Sequence, residues 1–263
     1  MVLENLILLS VLQGTTEFLP VSSSAHLAIA NFFSQNINQS VSIDLSLHVG
    51  SLLAMIIYFC RNGMRFSQQS HSENINFLNK RVLLYLITLS AIPTLIFAYL
   101  LLWNGYIHNI RENIEIIVWV NLVFAILLLI SDYIGKTDIK KLERKHIVQL
   151  ALIQTIALIP GVSRSGICLT MSRFLGYGRK QSAIIATIMA FPLLLASLVY
   201  ILSTLLIAQE LKLTITILLA IGLSFMTSYL ALKIIIEFIE KIKIYPFVIY
   251  RVCLSLTIIY VIS

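Results

Sequence analysis

Two charges stand where an apolar chain has little reason to place them. Glu17 lies in QGTTEFLPVSSSAH (13–26) and Arg164 in PGVSRSG (160–166), and each motif interrupts a strongly apolar stretch. An arginine near the middle of a bilayer costs ~2.5–3.5 kcal/mol on insertion scales, so something must offset it. In the first motif Gln13 and Glu17 are four residues apart and share a helix face. Their oxygens suit a hard divalent cation, Mg²⁺ or Ca²⁺. Pro20 interrupts the helix. Ser22, Ser23 and Ser24 follow, any of which could cap the next helix, and His26 falls close to that helix start. In the second motif Gly161 permits a close backbone approach. Ser163 or Ser165 could cap the next helix, and Arg164 carries a planar fork that matches phosphate oxygens. Helix N-termini add free N–H groups and a positive dipole end. Together these residues make a site for a phosphate or diphosphate.

Apolar spans must position such residues. Of the 263 residues 59% are hydrophobic and only 12% charged, against about 25% in soluble domains. Mean hydropathy is +0.93. The class is an all-α polytopic membrane protein. A crossing needs ~20 apolar residues. Six stretches provide them, at about 43–60, 82–103, 114–133, 183–208, 213–236 and 244–262. Residues 3–34 and 147–175 are also apolar but are broken by the two motifs, and each half is too short to cross alone. They are expected to be re-entrant helix–break–helix pairs, with the irregular backbone covered by protein or water. Glu4 and Asn5 stand where a cleavable signal would be basic, so none is expected.

The formal net charge of +7 reads as membrane topology and not as nucleic-acid binding. With both broken regions returning to the side they enter from, 61–81, 134–146, 173–180 and 237–243 share one side. They hold fourteen of the 19 Lys and Arg residues; the other side holds Arg111 and Lys212. That asymmetry is the positive-inside pattern and places both termini outside. It also divides one membrane domain into inverted repeats, about 1–133 and 134–263, each a re-entrant pair followed by three spans. Such repeats place a polar site between them near the midplane.

Plainer readings stand beside these. Glu17 and Arg164 could form only a buried ion pair, though the hydroxyls and His26 exceed what a pair needs. Each serine alone could be a cap or a packing residue. His48, four residues after Asp44, reads as structural, and His71, His108 and His146 as solvated loop residues. Lys233 and Arg251 read as span-end residues that snorkel. Trp103, Trp119 and Tyr245 suit interfacial belts or packing. Cys60, Cys168 and Cys253 lack CxxC spacing and read as small apolar residues.

QGTTEFLPVSSSAH and PGVSRSG, with LSLHVGSLLAMIIYF (45–59) and YPFVIYR (245–251), resemble segments of the undecaprenyl-diphosphatase family, the bacitracin-resistance proteins. The resemblance runs nearly the whole length. It implies a hydrolase that removes the terminal phosphate of undecaprenyl diphosphate and regenerates the lipid carrier for peptidoglycan precursors. It also implies bacitracin resistance, a divalent cation, and a plasma (inner) membrane location with the site facing the periplasm. By motif position Glu17, Ser23, His26 and Arg164 become catalytic candidates. Ser22, Ser24, Gly161, Ser163 and Ser165 become substrate-binding candidates, and Glu17 with Gln13 the metal candidates. Ser24 and Ala25 stand where many members have Thr and Gly, and Gln13 gives one charge fewer than Glu. The nucleophile stays open between Ser23, His26 and water. The partners expected are the polyprenyl diphosphate and membrane lipids, with no nucleic acid; a homodimer stays open.

An inverted-repeat transporter or lipid-phosphate flippase is the rival from another class. A rhomboid-like protease and the phosphatidic-acid-phosphatase class both want a histidine late in the chain, and none follows residue 146.

Overall fold

Apolar length decides most of the helices. The structure, a computed structural model, describes residues 3–33, 41–62, 80–103, 113–135, 141–208 and 211–262. Among them the regular elements are all helical. Helices α3 (Val41–Asn62), α4 (Lys80–Trp103), α5 (Ile114–Ile134) and α11 (Tyr245–Ile262) fall on expected spans, and six segments in all are long and apolar enough to cross a membrane. His71, His108 and Arg111 lie outside the described residues.

Two spans differ from expectation. The stretch expected at 183–208 is two helices, α8 (Arg179–Ile188) and α9 (Phe191–Ala208), parted by a turn at Met189 and Ala190. Pro192 lacks the N–H that a continuous helix needs there, and it suits the first turn of a new helix instead. Helix α10 (Leu211–Ile242) runs on past the expected end at 236, because Glu237 and Glu240 are good helix formers and are exposed.

Both motifs break their helices as the prolines require. The first joins α1 (Leu3–Thr16) to α2 (Ser23–Phe33). The second joins α6 (Arg144–Gln154), extended by a 3₁₀ turn (Thr155–Leu158), to α7 (Arg164–Phe174). The longest of these has 14 residues, about 21 Å at 1.5 Å per residue, so none reaches across a ~30 Å core alone. The two corners share one design. Ser22 (φ 71°) and Ser163 (φ 70°) both take left-handed backbone. Ser22 Oγ accepts from the Ala25 amide at 3.4 Å, and Ser163 Oγ accepts from the Gly166 amide at 3.1 Å. The caps are therefore Ser22 and Ser163, not their neighbours.

Packing is reciprocal: α1 lies on α10, and α6 lies on α4. Small residues bring α3 and α10 close. A Cβ on Gly50 would meet the Ile221 carbonyl at 2.5 Å, and beside it Ser51 and Ser228 share a 2.8 Å hydrogen bond. Helices α5, α7 and α8 meet at an ion cluster. Arg179 clasps Asp132 through Nε and Nη2 at 2.8 and 3.0 Å, and Arg173 Nε approaches the same carboxylate at 3.3 Å. His146, expected in a solvated loop, is instead buried in the first turn of α6, where Nδ1 pairs with Tyr177 Oη at 2.6 Å.

Candidate active site

The site grows from the two left-handed corners. Each turns its chain so that the next residue, the first of a helix, points at Glu17. Ser23 follows Ser22 and donates its hydroxyl to Glu17 Oε2 at 3.2 Å. Arg164 follows Ser163 and donates Nη2 to Glu17 Oε1 at 2.6 Å. One buried carboxylate thus receives the equivalent residue of both breaks, Arg164 reaching it from 147 positions further along the chain.

Other groups complete the cluster. Gln13 Nε2 donates to Glu17 Oε2, as their helical spacing predicts. His48 of α3 brings Nδ1 to 3.3 Å from the same oxygen and 2.8 Å from Gln13 Nε2. His48 is therefore part of the site and not merely structural. Its sequence spacing pointed to Asp44, whereas the partner that matters lies on α1.

The remaining candidates frame this centre. His26 bonds away from the acid: Nδ1 meets the Ser22 carbonyl at 2.8 Å and Nε2 meets Tyr250 Oη at 2.6 Å. Its ring stacks on Tyr250 with centroids 5.5 Å apart. Ser24 is exposed, lies 3.3 Å from Ser22 Oγ and accepts from the Gly161 amide at 3.4 Å. Ser165 ties the breaks together by donating to the Leu19 carbonyl at 2.7 Å. Gly161 (φ 95°) passes so near the Ile117 carbonyl of α5 that a Cβ would collide with it. Ser22, Ser163, Ser165 and Gly161 thus shape the corners.

Arg251 was expected to snorkel from a span end. It is instead fully buried two turns into α11, with Nε on Asn121 Oδ1 at 2.9 Å. That depth in the apolar run was the available signal; the Asn121 partner, 130 residues away, had none.

Among the described residues of this centre, two buried side-chain atoms lack hydrogen-bond partners, Gln13 Oε1 and Arg164 Nη1. They are an acceptor and a donor on either side of Glu17. Buried polar groups are seldom left unmade. The acceptor suits a hard cation, for which Glu17 would be the neighbouring carboxylate. The donor fits a phosphate oxygen. The residues present therefore fit a divalent cation and a phosphate together.

Fold and site define an all-α, multi-pass membrane protein with a buried acid–arginine–hydroxyl centre built from two broken helices. The sequence profile described as "Bacitracin resistance protein BacA" matches residues 6–257, and the chain belongs to that family. It is 37% identical over 255 residues to the undecaprenyl-diphosphatase of Pelagibacter ubique (strain HTCC1062), covering 96% of this chain and 94% of that one. It is 34% identical to the undecaprenyl-diphosphatase of Ruegeria sp. (strain TM1040), covering 99% of each. The undecaprenyl-diphosphatase of Alteromonas mediterranea is 31% identical, with 97% of each covered.

Proposed function

We propose that this chain hydrolyses undecaprenyl diphosphate to undecaprenyl phosphate and inorganic phosphate. The observation that carries this reading is the convergence of Arg164 and Ser23 on Glu17, with Arg164 Nη1 still free to donate. Family membership and the relatives' activity support it. The same activity regenerates the carrier for peptidoglycan synthesis, and by consuming the diphosphate it confers bacitracin resistance.

Arg164 and the amide ends of α2 and α7 hold the terminal phosphate and offset its charge, the main means of catalysis in this reaction class. Ser23 is the nucleophile this arrangement favours, since its hydroxyl already donates to Glu17 Oε2. Its Oγ attacks the terminal phosphorus as the bond to the bridging oxygen breaks, and undecaprenyl phosphate leaves. The Ser23 proton passes to Glu17. Water then attacks the phosphoserine; as the bond to Ser23 Oγ breaks, Glu17 returns the proton to that oxygen, and the water's oxygen and protons leave with inorganic phosphate. His26, with both ring nitrogens engaged, serves to hold the Ser22 corner. Glu17 and Gln13 would hold Mg²⁺ or Ca²⁺, which when bound would supply charge neutralisation on the phosphate oxygens.

We place the protein in the bacterial plasma membrane, with 1–133 and 134–263 as inverted repeats, both broken regions re-entrant and the site opening to the periplasm. The basic-residue asymmetry and the reciprocal packing of α1 and α6 support this.

The test is phosphate release from undecaprenyl diphosphate by the purified protein in detergent, with Mg²⁺, Ca²⁺ or EDTA. Release that stops with EDTA and returns with either cation is expected. Folded protein that releases no phosphate under any cation would move the assignment to a transporter of lipid phosphates.

A further inference from the structure

Arg251 takes no part in the chemistry above, yet it is fully buried and each of its three guanidinium nitrogens donates a hydrogen bond. Nη1 donates to the Pro20 carbonyl at 3.4 Å. Nη2 donates to the carbonyls of Asn121 at 3.0 Å, Gly161 at 3.1 Å and Val162 at 3.4 Å. Nε donates to Asn121 Oδ1 at 2.9 Å. Among the described residues it has no carboxylate partner. Asn121 is itself fixed, since its Nδ2 donates to Ser255 Oγ at 2.9 Å.

The addresses of these acceptors matter. Pro20 stands just upstream of the Ser22 corner, and Gly161 and Val162 just upstream of the Ser163 corner. One planar cation therefore grips both corners from behind, and each corner launches a residue onto Glu17. A lysine keeps the charge but carries its donors on a single point, so it cannot span acceptors on three segments.

We propose that Arg251, steadied by Asn121, is the positioning residue that locks the two breaks against each other and so sets Ser23 and Arg164 on Glu17. Its effect on rate rests on the hydrolase reading; its effect on the breaks does not. Two measurements on the full-length protein test it. Hydrogen exchange of Arg251→Lys should quicken in both 19–24 and 160–165, with the other helices as in wild type. Phosphate release should fall at least about tenfold through kcat, with KM within about twofold. Adding Ser165→Ala, which removes a further tie between the breaks, should cost more than the product of the two single losses. Wild-type exchange at the breaks overturns the proposal, as does quickening confined to 245–262, or a wild-type turnover in Arg251→Lys. Should the Arg251 variants not fold, Asn121→Ala carries the same exchange test, and unchanged breaks overturn it there. A wild type that releases no phosphate would remove the hydrolase reading alone, leaving the exchange result to decide the lock.

Discussion

Glu17 is held through both carboxylate oxygens, so its variants separate charge from shape. Glu17→Gln keeps the size and loses the charge that faces Arg164; turnover should fall by about 10²–10³, as when a preorganised electrostatic partner is removed. Arg164→Lys should fall by a similar factor, since one point charge replaces a fork with a free Nη1. Phosphate-release assays on folded protein measure both. Ser23→Ala separates nucleophile from spectator: quenched turnover with labelled terminal phosphate should leave label on wild type and none on the variant. At this scale the sequence was informative where neighbours in the chain act together. Gln13 and Glu17 could be paired from their spacing alone. His48 and Arg251 could not, because their partners arrive from 35 and 130 residues away. Ser22 and Ser163 were legible as cap candidates but not as left-handed corners, which only the folded path of the chain decides.

The elements divide into those set by length and those set by breaks. A β-branched residue tolerates left-handed backbone poorly, so Ser163→Val should suffer twice, from strain and from loss of the cap. It should lower stability in detergent by about 2–3 kcal/mol, while Ser163→Gly, which fits the corner, should lose only a few tenths. Thermal melts of the two variants give the comparison. Gly50→Leu should part α3 from α10 and unseat His48, lowering both stability and turnover, because a side chain has no room against the Ile221 carbonyl. The spans were readable because ~20 apolar residues have few other uses. The turn between α8 and α9 had its signal in Pro192, which a hydropathy window averages away. The far end of α10 is polar helix, which such a window does not count.

At the scale of the whole molecule, charge sets direction. A single cysteine placed at Lys141 in a cysteine-free background should react with a membrane-impermeant thiol reagent only after permeabilisation, and one at Glu115 should react in intact cells. The reverse pattern would invert the topology proposed here. Asp132→Asn should leave Arg173 and Arg179 without their shared counter-charge and destabilise the fold by about 3–5 kcal/mol. The hydrogen bonds of Arg251 also impose an order in time. Its Pro20 partner precedes it by 231 residues, and the span that carries it is made after the other five. At about 5–20 residues per second, a ribosome delivers that span roughly 10–50 s after the first corner. Through that interval the nascent chain has its carboxylate, its serines and finally its arginine, but no clasp to seat them. Activity is therefore born late. A chain arrested before α11 should insert its earlier helices and remain inert, which keeps an unfinished protein from acting on the membrane's lipid carriers.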